Sequence, residues 1–146
     1  MKVDFYHLTS TPLARALPQI AARVAAEGGR LLIVAAEAQQ RAEVDALLWT
    51  FSADSFLAHG QIGGANDADQ PILIAPDINA ANGARFVAIV DGQWRDGALD
   101  FDRTFHFFDD EQILGARGAW KSLSDNDAVE RRYWKQNDAG RWEQAA

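Results

Sequence analysis

No cysteine occurs among the 146 residues, which excludes a disulfide framework, a thiolate nucleophile and thiolate-ligated zinc. Stability must therefore come from a packed core. Methionine appears once and proline four times, and no stretch approaches the run of about eighteen apolar residues that a membrane span needs. No contact with a membrane is expected. The opening Met1-Lys2-Val3-Asp4-Phe5 lacks a basic segment followed by a long apolar core and is not an Arg/Ser-rich amphipathic leader, so the cytoplasm is the expected compartment. Positive charge is scarce as well: 14 Lys and Arg stand against 21 Asp and Glu, for a net charge of −7. That argues against a coat for phosphate backbones, because non-specific nucleic-acid affinity comes mainly from Lys and Arg displacing counterions. Direct DNA binding is not expected.

What is present is ordinary globular composition, 48% hydrophobic and 24% charged, in a length suited to one domain spanning residues 1–146. Val3, Phe5, Tyr6 and Leu8 read as a first strand. Ser10-Thr11-Pro12 reads as a helix start with a hydroxyl cap and proline in the first turn. Leu13, Leu17, Ile20 and Val24 then mark one face of an amphipathic helix that Pro18 should kink and Gly28-Gly29 should end. Leu31-Leu32-Ile33-Val34 is apolar on both faces, as in a strand covered by helices on each side. A second helix is expected from about Glu37 to Phe51, with Val44, Leu47, Leu48 and Phe51 buried and Trp49 beside that stripe. Residues 60 to 70 read as a loop. Further strands are expected at 71–75, 85–91, 104–108 and 129–136, with a helix from about Asp109 to Leu123 whose first turn is acidic. Strands alternating with helices indicate an α/β layered fold with a largely parallel sheet.

The first strand–helix junction is where such a fold would bind a phosphate. His7-Leu8-Thr9-Ser10-Thr11-Pro12 holds no glycine there, and neither a Walker A loop nor a G-x-G-x-x-G fingerprint occurs. Gly60-Gln61-Ile62-Gly63-Gly64 is glycine-rich but not framed by a strand and a helix N-terminus. His7, His59 and His106 are far apart and lack a second ligand at metal-site spacing, so no metal and no cofactor are expected. His7 and His106 read as hydrogen-bonded structural histidines in strands; His59 falls in a loop more open to function, though a structural role is the better reading there too. The Asp100/Asp102 and Asp109/Asp110 pairs read as turn and helix-start residues, and no G-x-S-x-G elbow accompanies the serines. No catalytic group emerges. A small nucleotide-binding enzyme of unknown substrate remains the alternative that the fold class allows.

The positive signals are aromatic and basic. Residues 112 to 142 carry six basic side chains against four acidic ones, while the rest of the chain totals −9. Within this segment Arg117 and Lys121 lie four apart on one predicted helix face, beside Trp120. Trp49 and Phe56 form a second pair of large side chains in polar surroundings, and Trp, Tyr and Arg are the residue types that dominate binding hot spots.

These positions carry a resemblance, over nearly the whole chain, to the chi subunit of bacterial DNA polymerase III. Val3-Asp4-Phe5-Tyr6-His7-Leu8 resembles the family's first strand and Leu31-Leu32-Ile33-Val34 its second. More specific are Val44-Asp45-Ala46-Leu47-Leu48-Trp49 with Ser55-Phe56-Leu57-Ala58-His59, then Ala116-Arg117-Gly118-Ala119-Trp120-Lys121, and Tyr133-Trp134-Lys135-Gln136 followed by Gly140-Arg141-Trp142. Ala58 departs from the family's usual proline, so a less rigid loop is expected there. Ser124 stands where some members have another arginine, which should weaken an anion site.

The resemblance implies a single Rossmann-like three-layer domain with no nucleotide-binding loop, working as an adaptor and not as an enzyme. It implies that Arg117, Trp120 and Lys121 grip the acidic, phenylalanine-ended C-terminal tail of the single-stranded DNA-binding protein. It further implies that Trp49, Phe56 and His59 dock the clamp-loader psi subunit or, in competition, an accessory helicase.

Overall fold

A computed structural model describes residues 1–51 and 57–146. The order is β1 (Lys2–His7), α1 (Leu13–Ala26), β2 (Leu31–Val34), α2 (Ala38–Thr50), β3 (His59–Gln61), β4 (Ile72–Ala75), β5 (Phe86–Ile89), β6 (Arg103–Phe108), α3 (Ile113–Ser122), β7 (Glu130–Gln136) and β8 (Trp142–Gln144). Short 3-10 turns occupy Asp67–Asp69, Asp96–Asp100 and Leu123–Asp125. The strands form one sheet in the order β3-β4-β2-β5-β6-β1-β7-β8. Every pairing is parallel except β7 with β8. The result is the three-layer, Rossmann-like arrangement expected from the alternation of strands and helices.

Because side chains alternate across a strand, β1 sends Asp4 and Tyr6 to one face and Val3, Phe5 and His7 to the other. On the first face, α1 and α2 set Leu17, Ile20, Val24, Val44 and Leu48 against Tyr6, Leu31, Ile33, Ile74, Phe105 and Phe107. On the second, α3 and the turn after it pack Ala116, Ala119 and Leu123 on Val3, Phe5 and Phe108. Farther along that face Ala98 and Phe101 cover Leu32, Val34, Val87 and Ile89. Small residues at 116 and 119 let α3 lie close to the sheet.

Several elements differ from the sequence expectation. The cap of α1 is Pro12, with no side-chain capping bond. The amides of Ser10 and Thr11 are held instead by the side-chain oxygen of Gln136, at 3.2 and 3.0 Å, so this junction is fastened from the far end of the chain. Pro18 sits inside an unbroken α1 and is buried; it removes one backbone donor without ending the helix. Leu47 and Phe51 are only half-buried, leaving Val44 and Leu48 as the buried anchors of α2. The loop expected at 60–70 begins inside edge strand β3, paired with β4 through His59, Gly60 and Gln61. Helix α3 starts at Ile113, after a turn in which the Asp109 carboxylate accepts from the amides of Glu111 and Gln112 at 3.0 and 3.1 Å.

Candidate functional site

In an open α/β sheet, ligands bind outside the carboxyl ends of strands where neighbouring connections leave on opposite faces. Crevices of this kind lie between β1 and β6 and between β2 and β5. The first is bridged by His7, whose Nε2 lies 2.6 Å from an Asp110 carboxylate oxygen. The second is filled by Asp91. Its carboxylate accepts from the Ala36 amide at 3.0 Å and from the Gln93 amide at 3.1 Å, and is clamped by Arg95 at 2.7 and 2.9 Å. Burial pushes the Asp91 pKa up, but the bonds from Arg95, Ala36 and Gln93 outweigh it and hold the group below its ordinary value. Gly92, at φ +72°, completes the plug: a Cβ there would come within 2.3 Å of the Gln112 side chain, which donates to the Asp91 carbonyl at 2.9 Å. The backbone amide that could meet a phosphate thus already holds a carboxylate of the same chain.

Helix α3 brings Arg117, Trp120 and Lys121 to one patch. Both cations are exposed and one turn apart, with Trp120 half-buried between the helix and the sheet. Its indole meets Phe5 edge-on at 5.3 Å and Tyr133 edge-on at 5.7 Å. One of its faces is covered by the Arg131 guanidinium, 4.2 Å from the ring centroid, and Arg131 also donates to the Trp120 carbonyl. Trp120 is therefore a fixed wall as well as a surface residue. Burial raises the Tyr133 pKa, with Arg117 lowering it and Asp110 raising it, so both charges act on this ring. In the sequence Arg131 is one of six basic residues at 112–142, with nothing local to set it over Trp120. The signal was the alternation of β7, which puts Arg131 and Tyr133 on the α3 face and Arg132 and Trp134 on the other.

The second candidate surface is divided. Trp49 projects from α2 with 56% of its area exposed. His59 lies in edge strand β3 and not in the expected loop, and its side chain has no exposed area. Its Nδ1 lies 2.6 Å from the Leu57 carbonyl, and its Nε2 lies 3.1 Å from the Asp45 carbonyl and 3.2 Å from the Asp45 carboxylate. The two rings meet at 4.8 Å. His59 thus ties β3 to α2 beneath Trp49 and bears on the surface only through that neighbour. Phe56 lies outside the described residues.

His106 also departs from expectation. It is fully buried, and neither ring nitrogen has a hydrogen-bond partner among the described residues. Among the described residues no group of three or more His, Cys, Asp or Glu is placed to hold a metal ion, and no helix is long and apolar enough to cross a membrane.

The order of these features along the chain has a counterpart in known proteins. A family model described as "DNA polymerase III chi subunit, HolC" matches residues 1–129. The chain belongs to the chi subunit family of DNA polymerase III. No curated protein matches the chain. The chi match runs from β1 through α3 and so includes Trp49, Phe56, His59, Arg117, Trp120 and Lys121. It ends before β7, so the Tyr133–Gln136 and Gly140–Trp142 blocks lie beyond the matched residues. Membership makes this chi-family chain an accessory subunit of DNA polymerase III, among the proteins of DNA replication.

Proposed function

We propose that this chi-family subunit is a non-catalytic cytoplasmic adaptor, one domain over residues 1–146, that links the clamp loader to the single-stranded DNA-binding protein by gripping that protein's acidic C-terminal tail. Arg117 and Lys121 receive the terminal carboxylate and the acidic side chains before it. Trp120, fixed by Phe5, Tyr133 and Arg131, walls the place where the terminal phenyl ring packs. Trp49, with His59 bracing it from below, serves a separate surface for the psi subunit or an accessory helicase, a role to which Phe56 is assigned as well. DNA is reached through these partners.

The observation that carries this reading is the pair of exposed cations one turn apart on α3 beside a half-buried indole, inside a net-positive segment of a chain with net charge −7. Such an arrangement suits a ligand that presents several negative charges next to one ring. A nucleotide-dependent enzyme is the weaker reading, because side chains of the protein itself occupy the β1/β6 and β2/β5 crevices, where this fold class would hold a nucleotide. The test is co-elution on gel filtration with the single-stranded DNA-binding protein, intact and lacking its acidic tail. Co-elution with the intact protein alone is expected; equal co-elution with the tailless protein would refute the reading.

A further inference from the structure

On the sheet face opposite α3, a cavity of about 380 Å³ opens between α1 and strands β6, β1, β7 and β8. Tyr6, Arg23, Arg103, Arg132, Trp134 and Trp142 line it. Beneath the arginines lies Asp4, whose side chain has no exposed area. Its carboxylate accepts from Arg103 at 2.7 and 2.6 Å and from Arg132 at 2.7 and 3.1 Å, with Trp134 Nε1 adding a bond at 3.0 Å. One negative charge therefore fixes two guanidiniums. Arg23, exposed on the last turn of α1, makes no side-chain hydrogen bond or ion pair among the described residues. The three arginines less Asp4 leave two surplus positive charges around one cavity in an acidic protein.

Two further features bear on what would fill it. Tyr6 is only 7% exposed, lines the cavity, and its hydroxyl has no hydrogen-bond partner among the described residues. Trp134 stacks on Tyr6 at 6.2 Å with the rings 11° from parallel, and Trp142 meets Tyr6 edge-on at 5.2 Å. Fixed cations, a hydroxyl free to bond a ligand in the cavity and flat apolar walls thus share one site. Arg132, Trp134 and Trp142 come from the strands beyond the family match.

We infer that this groove binds a nucleoside monophosphate, with its phosphate on Arg23, Tyr6 and the outer N–H groups of Arg103 and Arg132, and its base against the indoles. A phosphomonoester carries about −1.5 to −2 at neutral pH, which matches the surplus charge; a single carboxylate or a phosphodiester supplies about half. Guanidinium forks fit phosphate oxygens in pairs, and bases stack on aromatic rings whatever their identity. The missing phosphate loop does not bear on this site, since its donors are side chains and it lies away from the strand-end crevices. The ligand could be a free nucleotide or the 5′-phosphorylated end of a single strand, which share this chemistry.

The test is titration of the full chain with AMP, read by calorimetry and by quenching of tryptophan fluorescence. Saturable one-to-one binding is expected, with adenosine, ribose 5-phosphate and cyclic AMP each about ten-fold weaker or worse. Arg23→Glu should lose about ten-fold in AMP affinity and Tyr6→Phe about three-fold, whereas Arg15→Glu, the same charge change on α1 at a residue outside the cavity lining, should lose clearly less than Arg23→Glu. A 5′-phosphorylated oligonucleotide binding more tightly than AMP identifies the strand end as the source, and the reverse order identifies the free nucleotide; both uphold the site. The inference is overturned if AMP fails to bind at millimolar concentration, if cyclic AMP binds equally well, if both Arg23→Glu and Tyr6→Phe bind AMP unchanged, or if an acidic aromatic peptide displaces AMP as the tighter ligand.

Discussion

Asp4 is a carboxylate in the middle of a buried strand, with partners that no local reading of the sequence could supply: Arg103 and Arg132 are 99 and 128 residues away. The parallel pairing of β1 with both β6 and β7 brings them to the same face. Removing the charge would leave two partly buried guanidiniums without their counter-ion, which is the costly way to break such a cluster. Asp4→Asn is expected to destabilise the fold by about 3 kcal/mol, read from urea unfolding at neutral pH. A loss indistinguishable from zero would show that solvent compensates the arginines.

His106 gives a second residue-scale prediction. It lies between Phe5 at 5.3 Å and Trp94 at 5.5 Å, and burial lowers its pKa from 6.5 to about 4, with Asp91 raising it and Arg95 lowering it. The unfolded chain takes up this proton below about pH 6.5, whereas the folded chain resists it down to about pH 4. Stability is therefore undiminished above that window and falls as the pH drops through it, by about 3 kcal/mol in all. Unfolding free energies measured from pH 7.5 to pH 4.5 should show this slope, and His106→Leu should flatten it. An equal slope in the variant would assign the acid loss to other groups.

At the scale of elements, α2 was legible to within a residue at each end, expected over 37–51 and found over Ala38–Thr50, because its apolar stripe and the flanking strand both mark its ends. Strands β3 and β8 were not legible. Each has three residues and exists through pairing with one neighbour, so its strand character belongs to the partner more than to its own side chains. The candidate sites divide in the same way. The spacing of Arg117 and Lys121 on α3 is a property of the helix and could be read directly, while the contribution of Arg131 depends on where β7 lies in the sheet. His59 was placed in a loop because three-residue β3 carries no strand pattern of its own. The α2 and α3 surfaces rest on opposite faces of the sheet, which argues for independent ligands. Phe56→Ala and Trp49→Ala should each abolish association with psi or the helicase while the acidic-tail peptide still binds, as measured by pull-down and calorimetry on folded variants. Loss of both partners together would contradict two separate surfaces.

For the whole molecule, the layered fold was legible because the apolar runs at 31–34, 72–75 and 86–89 are buried central strands of a parallel sheet. The order in which strands lie was not, since β1 and β2 are separated by β5 and β6 and no local pattern encodes that crossing. Charge is distributed at this scale too: an acidic chain carries its net-positive segment into α3 and β7, where the approach of an acidic ligand is favoured. The attraction involves exposed cations, and binding should weaken as salt rises.

The most direct measurement is the affinity of a synthetic acidic peptide ending in phenylalanine for the intact chain and for Lys121→Glu, alongside the same peptide without its last residue. The account predicts that the substitution and the deletion each cost roughly ten- to hundred-fold in affinity, the scale of one charge-assisted hydrogen bond or more. A folded Lys121→Glu chain that binds the intact peptide unchanged, or a shortened peptide that binds as tightly as the intact one, would contradict it.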